Sequence, residues 1–186
     1  MPVTQLDSKT ALIVIDLQKG IVGLPAIHPI GGVLANASAL AAAFRRHGLP
    51  VVLVNVAGGA PGRTERAPMR SAMPPDWTEL APELNVQPAD HKVTKLTWGA
   101  FANTDLDALL KELGVTQVVL AGVATSIGVE STAREAYAHG FNVTIAVDAV
   151  TDLDAGAHEN SIARIFPRLG ETGPSAAILA LLDTAR

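Results

Sequence analysis

Two ionisable residues stand at the ends of apolar runs, where a charge costs free energy to bury. Asp16 directly follows "ALIVI" (11–15), and Lys95 ends the weaker run "HKVTK" (91–95). A carboxylate in such a place needs a partner or a shifted pKa. We therefore interpret Asp16 as an acid or base, with Lys95 beside it if both runs share one sheet. The alternatives are a capping or surface residue for Asp16 and a plain edge charge for Lys95.

The stretch "VVLAGVATSIGVESTAREA" (118–136) predicts a buried strand, a tight turn and a helix. A side chain at residue 128 would face the N–H groups at the start of that helix, a setting that activates a thiol and stabilises an oxyanion. The residue there is Gly128, and the chain contains no cysteine. Cysteine-nucleophile chemistry, disulfides and thiolate metal sites are thus excluded. Ser126 has no evident histidine to activate it, so we interpret it as a helix N-cap.

Strands and helices alternate along the chain. Strands are predicted at 11–16, 50–56, 116–123 and 142–150, with a weaker one at 91–95. Helices are predicted at 33–47, 104–113, 127–139, 157–169 and 175–185. This alternation predicts an α/β fold with a parallel sheet covered on both faces, which binds ligands beyond the carboxyl ends of its strands. The residues expected at that edge are Asp16, Asn55, Lys95, the turn 122–128 and Asp148.

Composition narrows the function classes. With 186 residues, of which 48% are hydrophobic, the chain is predicted to form one domain, 1–186. The net charge of −4, without a dense Lys/Arg block, argues against nucleic acid or an anionic membrane and favours small molecules or proteins as partners, of which we predict a small-molecule substrate. The N-terminal apolar run is too short for a signal peptide or a membrane span, so a cytoplasmic location is expected.

Cofactor motifs are not matched. "GVATSIGVE" lacks the second glycine and the lysine of a phosphate loop, and "GGAPG" (58–62) opens a Pro-rich loop instead of a helix. The five histidines show no metal-ligand spacing. We therefore predict neither a cofactor nor a metal. The segment 57–77, rich in Gly and Pro, is predicted to be a loop folded over the site.

The motifs "ALIVIDLQKG" (11–20) and "VTKLTWGAFANTDLDALLKELGVTQVVLAGVATSIGVESTAREAYAHGFNVTIAVDAVTD" (93–152) resemble the isochorismatase-like hydrolases. This family, also called cysteine hydrolases, includes nicotinamidases and carbamoylsarcosine-type amidases. The resemblance spans nearly the whole chain except the 57–90 region. It implies a Rossmann-like three-layer α/β/α sandwich around a six-stranded parallel sheet. It also implies a homo-oligomer, either a dimer or a tetramer.

The resemblance assigns roles to individual positions. It implies that Asp16 is the catalytic aspartate, that Lys95 is the catalytic lysine and that Gly128 occupies the place of the nucleophilic cysteine. A cis peptide is implied between Val123 and Ala124, with the N–H groups of residues 124 and 128 as oxyanion donors. The metal cluster of nicotinamidases would follow the second strand, where this chain reads "NVAGGAPG" (55–62) and supplies no ligands.

The missing thiol puts the family's amide chemistry in question. True isochorismatases also carry glycine at this position and hydrolyse a vinyl ether, which implies that Asp16 donates a proton to the enol-ether carbon. Because Lys95 would lower the pKa of Asp16, burial must outweigh it, or the substrate must bring the proton. The alternatives are amide or ester hydrolysis by a water that Asp16 activates, and a catalytically silent binding or scaffold protein.

A dicarboxylate such as isochorismate needs cationic partners. Arg63, Arg66 and Arg70 lie in the predicted loop over the site, where they serve either as ligands or as ordinary surface charges. Arg134 is more simply an i,i+4 partner of Glu130. Trp98 and Phe101 follow Lys95 and are assigned to the wall of an apolar pocket, with core packing as the alternative.

Overall fold

Six strands form one parallel sheet in the computed structural model, which describes residues 2–65 and 73–184. The strands are β1 (Thr10–Ile15), β2 (Val51–Val56), β3 (His91–Lys95), β4 (Gln117–Val123), β5 (Asn142–Thr151) and β6 (Glu171–Gly173). Their order is β3-β2-β1-β4-β5-β6, and every neighbouring pair is parallel. The direction in which strands are added reverses between β1 and β4, and ligands bind at such a switch point.

Helices cover both faces of the sheet. They are α1 (Lys19–Val22), α2 (Ile30–Arg46), α3 (Leu106–Glu112), α4 (Glu130–Ala138), α5 (Ala155–Asn160), α6 (Phe166–Leu169) and α7 (Ser175–Thr184). A 3₁₀ turn spans Pro82–Leu84, and π-helical segments precede α4 at Thr125–Val129 and α6 at Ser161–Ile165.

The core consists of two apolar layers, one on each face of the sheet. Alternate residues of β1 supply both layers, because successive strand side chains point to opposite faces. Ala11, Ile13 and Ile15 pack with α3, α4 and α6, whereas Leu12 and Val14 pack with α2 and α7. The predicted three-layer sandwich around a six-stranded parallel sheet is confirmed. Within the described ranges, no helix combines the length and the apolar character needed to cross a membrane.

The end of the fifth strand differs from the prediction. The register of β5 against β4 shifts between Leu120 and Gly122, so that β5 regains its pairing at Val150 and Thr151. Asp148 therefore lies within β5, where its carboxylate accepts hydrogen bonds from Ser175 N–H (2.7 Å) and Oγ (2.8 Å) at the start of α7. The expectation that Asp148 closes this strand at the site is wrong, because a bulge is not visible in an apolar run.

Candidate active site

The backbone at the switch point brings β1 and β4 into unusually close contact. Gly122 has φ +124°, and a Cβ at this position would overlap the carbonyl group of Ile15. Only glycine permits both the conformation and the approach. Asp16, the first residue after β1, has φ 54° and donates its N–H to Val54 O at 2.9 Å. The carboxyl ends of β1, β2 and β4 therefore lie close together, and Asp16 lies among them.

Asp16 and Lys95 form a buried ion pair at this edge. Lys95 Nζ lies 2.8 Å from Asp16 Oδ2, and the two residues are only 2% and 6% exposed, respectively. The ammonium also donates to the carbonyl groups of Thr97 (3.1 Å) and Trp98 (2.8 Å). Three acceptors match the three protons of an ammonium group. The structure thus brings the two predicted side chains together and supplies a full set of acceptors for Lys95.

The carboxyl group of Asp16, by contrast, is only half satisfied. Its Oδ1 atom is buried without a hydrogen-bond partner among the described residues. Burial raises the pKa of Asp16 from 3.8 to about 6, since the loss of solvation outweighs the attraction and the hydrogen bond of Lys95. The carboxyl is therefore able to hold or release a proton close to neutral pH, and one of its oxygens is not engaged by any hydrogen bond among the described residues.

Residue 128 lies directly against this carboxyl group. A Cβ at Gly128 would stand 3.2 Å from Asp16 Oδ2, 3.2 Å from Ile15 Cγ2 and 3.3 Å from Val123 O. Any side chain at this position would contact the Asp16 carboxyl group. The Val123–Ala124 peptide bond is cis, as the resemblance implies.

The turn before α4 is held by a residue that sequence reasoning missed. Asp152, 2% exposed, accepts Ser126 N–H at 2.7 Å through Oδ2, and its Oδ1 accepts Leu153 N–H at 2.7 Å. Ala124 is the N-cap residue and has no side chain that could accept a hydrogen bond, so the distant Asp152 satisfies the first turn instead. The N-cap expected of Ser126 is therefore wrong. The available signal was Asp152 itself, a carboxylate directly after the fifth strand.

Two histidines also lie against this turn. His158 Nδ1 is 2.9 Å from the buried Thr125 Oγ1, and His28 Nδ1 is 3.1 Å from Thr151 Oγ1. The two rings meet edge to face with centroids 4.9 Å apart. Partial burial and the neighbouring His28 lower the pKa of His158. Neither histidine stood out in the sequence, because their proximity depends on the tertiary fold.

Polar residues at the ends of β1 and β2 anchor the chain around residues 77 and 78, where the predicted loop ends. Gln18 is fully buried and donates through Nε2 to Val56 O (3.0 Å) and Trp77 O (2.9 Å). Asn55 Nδ2 donates to Thr78 O at 2.8 Å. Asn55 thus lies at the predicted edge of the sheet, but its amide is used to hold the chain around residue 78.

The predicted pocket residues separate into different environments. Phe101 is 6% exposed and stacks on His139 with centroids 5.2 Å apart, which agrees with the alternative of core packing. Trp98 is 63% exposed and contributes its backbone carbonyl to the site. Arg134 pairs with Glu130 at 2.9 Å, as its spacing predicts.

Two further predictions concerned this edge of the sheet: arginines as substrate ligands, and the absence of a metal site after β2. Arg63 is exposed, and Arg66 and Arg70 fall outside the described residues. Across 2–65 and 73–184, no cluster of three or more His, Asp or Glu side chains is arranged to hold a metal ion.

A doubly wound sheet with a buried acid–lysine pair at its switch point is typical of the isochorismatase-like hydrolase fold. Residues 10–177 match the isochorismatase domain, and the chain belongs to the isochorismatase family.

Individual relatives agree with this assignment. The isochorismatase family protein YwoC of Bacillus subtilis is 46% identical over 171 residues, which cover 88% of this chain and 89% of YwoC. A solved isochorismatase family protein from Burkholderia thailandensis has a TM-score of 0.92 at 43% identity, covering 96% of this chain and 98% of its own. The ureidoacrylate amidohydrolase RutB of Pseudomonas syringae is 28% identical, with 73% and 68% covered. The predicted hydrolase class is confirmed.

Proposed function

We propose that this hydrolase cleaves a small vinyl ether of the isochorismate type, with Asp16 as the general acid. The observation that carries the proposal is the Asp16 carboxyl: it is buried, its pKa is raised to about 6, and its Oδ1 has no partner among the described residues. A carboxylic acid with a pKa near the working pH is suited to donate a proton in a transition state.

The proposed reaction begins with proton transfer from Asp16 to the methylene carbon of the enol ether, which leaves an oxocarbenium ion. Water then adds to the cationic carbon and returns a proton to the Asp16 carboxylate. The resulting hemiketal breaks its bond to the ether oxygen, which leaves as an alcohol, and the remaining fragment is pyruvate. No covalent bond to the protein is needed, consistent with a chain that has no cysteine.

Gly128 and Lys95 have distinct roles in this proposal. Gly128 places no side chain against Asp16 Oδ2, whereas even a Cβ would stand 3.2 Å from that oxygen and would compete with a substrate for it. The Lys95 ammonium, 2.8 Å from the same oxygen, orients the carboxyl and balances its charge after proton transfer. The N–H groups of residues 124 and 128 are proposed to face the oxygen-bearing part of the substrate.

A second candidate is hydrolysis of an amide or ester by a water that Asp16 activates. The observation that favours it is the relative RutB, which is named an amidohydrolase. In this reaction Asp16 must begin as a carboxylate and accept a proton from water. The two candidates therefore require opposite protonation states of the same group.

We also propose that the protein forms a homo-oligomer, a dimer or a tetramer. Large apolar side chains are exposed on the segments that follow β3, β4 and β5, namely Leu96 (60%), Trp98 (63%), Ile127 (38%) and Leu153 (46%). Self-association would remove this surface from water.

The oligomeric state is tested by light scattering after size exclusion, which should give a mass of two or four chains. Trp98→Glu should reduce this mass. A monomer at all concentrations would contradict the proposal.

The function is tested with two product assays on the full chain. Pyruvate release is measured with isochorismate, and ammonia release is measured with small amides. We expect pyruvate release from the unaltered protein and its loss in Asp16→Asn. Asp90→Asn is the matched control, because it breaks another buried ion pair, that of Asp90 with Arg45.

The outcomes separate the candidates. Ammonia without pyruvate, again lost in Asp16→Asn, would replace the first candidate by the second. Neither product above the level of Asp16→Asn at high protein concentration would overturn both. Pyruvate release that survives Asp16→Asn would contradict the assigned role of Asp16.

A further inference from the structure

The Lys95 ammonium is held by a loop as well as by Asp16. Two of its three acceptors are the carbonyl groups of Thr97 and Trp98, at 3.1 and 2.8 Å. These residues belong to the loop that leads from β3 towards α3. Whatever holds this loop in place therefore sets where the ammonium sits relative to the Asp16 carboxyl.

Two side chains of α4 hold the loop. Thr132 Oγ1 accepts the N–H of Ala100 at 3.1 Å, and Glu135 Oε2 accepts the N–H of Phe101 at 2.9 Å. The Glu135 carboxylate also lies against Gly99, where a Cβ would overlap it. The loop is thus fixed immediately after the two carbonyl groups that bind Lys95.

The hydroxyl group of Thr132 makes a second bond, which connects the loop to the other half of the site. It donates to Gly128 O at 2.7 Å, and the side chain is completely buried. A bond from threonine to the carbonyl four residues earlier is common within helices. Here the same oxygen also accepts Ala100 N–H, so one hydroxyl joins residue 128 to the loop that carries the acceptors of Lys95.

We propose that Thr132 and Glu135 are positioning residues that hold the Lys95 ammonium against the Asp16 carboxyl at a fixed place relative to residue 128. Neither side chain contacts the ammonium or the carboxyl, and both act through the loop. The inference rests on the proposed function only for the roles of Asp16 and Lys95. The hydrogen-bond connection itself is independent of which substrate is cleaved.

The proposal has a consequence for Asp16. Lys95 is the group whose charge and hydrogen bond lower the pKa of Asp16, in opposition to burial. If the loop is released and the ammonium moves away, burial acts with less opposition, and the pKa of Asp16 should rise above its starting value of about 6. A role of Thr132 limited to stabilising α4 would leave this pKa unchanged.

The test is an NMR titration of the side-chain carboxyl carbons in protein labelled with ¹³C-aspartate. The Asp16 signal is assigned by its disappearance in Asp16→Asn. In Thr132→Val, which removes both hydrogen bonds at nearly constant volume, we expect the pKa of Asp16 to rise by about one unit, a partial loss of the lysine effect. Thr132→Ser keeps the hydroxyl and should restore the unaltered value.

Controls separate positioning from general damage. Thr144→Val makes the same change at another fully buried threonine, whose hydroxyl accepts a bond from Gln117 Nε2 at 3.0 Å, and should leave the pKa of Asp16 unchanged. Glu135→Ala removes the other hydrogen bond that holds the loop, the one to Phe101 N–H, and should also raise the pKa of Asp16. This variant provides the test if Thr132→Val does not fold.

Folded Thr132→Val and Glu135→Ala proteins with the unaltered pKa would overturn the inference. An equal rise in Thr144→Val would also overturn it. Because the titration uses no substrate, absence of pyruvate release would count against the proposed function alone.

Discussion

Two buried aspartate–cation pairs lie at opposite ends of the parallel sheet, and they are built differently. Asp90 precedes β3, whereas Lys95 ends it, so the two pairs are separated by about 16 Å of strand at 3.3 Å per residue. Asp90 accepts Arg45 Nε at 2.9 Å on Oδ1, and Oδ2 accepts Arg45 Nη2 and Gln87 N–H, both at 2.7 Å. Both oxygens of this carboxylate are thus occupied.

In the pair of Asp16 and Lys95, the cation has its full set of hydrogen-bond partners and the carboxyl group does not. The ammonium has three acceptors, whereas Oδ1 of the carboxyl has no partner among the described residues. A carboxylate that accepts charge-assisted hydrogen bonds on both oxygens stabilises structure. A carboxyl that is buried with one free oxygen is placed where a proton can be exchanged. Both aspartate side chains are buried, 8% exposed in Asp16 and 1% in Asp90, and the number of hydrogen bonds to the carboxyl distinguishes them.

The largest expected effect is on catalysis at the unsaturated pair. Asp16→Asn keeps the shape of the side chain but removes the exchangeable proton, so the rate of pyruvate release should fall by roughly 10²- to 10⁴-fold. Steady-state kinetics on isochorismate will measure this loss. A decrease smaller than about tenfold would mean that the free oxygen of Asp16 does not distinguish the two pairs functionally.

The corresponding change at the saturated pair should act on stability. Asp90→Asn removes the charge that compensates the largely buried Arg45, and breaking such a pair costs about 3–5 kcal/mol of unfolding free energy. Urea denaturation will measure this change. Pyruvate release per folded molecule should stay within about twofold of the unaltered protein, because the pair is remote from the site. A selective loss of activity at full stability would contradict the contrast.

The pH dependence of kcat/KM should reveal the protonation state that acts. If Asp16 is the general acid, the active form is protonated, so activity is highest below its pKa of about 6 and is lost as pH rises through that value. The fall should approach tenfold per pH unit. A profile that rises through the same pH would instead identify Asp16 as a base and favour the water-activation candidate.

The smallest expected effect is on folding when a methyl group is added beside the unsaturated pair. Gly128→Ala places a Cβ 3.2 Å from both Asp16 Oδ2 and Ile15 Cγ2. Crowding costs about 1–3 kcal/mol, and the gain in helix propensity of about 1 kcal/mol offsets part of it, so thermal unfolding should shift only slightly. Pyruvate release should fall more clearly, because the methyl group occupies the space beside the acid.

Sequence predictions succeeded where a feature depends on neighbouring residues in the chain, and they failed where it depends on contacts between distant segments. Short apolar runs separated by helical stretches predicted five strands, since each run carries its own signal. The sixth strand, β6, has only three residues, Glu171–Gly173, and no apolar pattern. Asp148 was misplaced because the bulge in β5 is a property of strand pairing. Asp152 was missed because its hydrogen bond to Ser126 N–H joins two segments that are distant in the sequence. The pairing of Asp16 with Lys95 was predictable because each residue closes a predicted strand and matches a family motif.

The sequence by itself determined the class of fold, the acid and lysine at the ends of two strands, and the absence of a cysteine nucleophile. These features depend on residue types and on periodicities that are local in the chain. Only the tertiary structure decided that Asp16 keeps one unpartnered oxygen and a pKa near 6, and that α4 holds the loop of Lys95. Those properties arise from desolvation and from contacts between distant segments, which exist only once the strands and helices are packed.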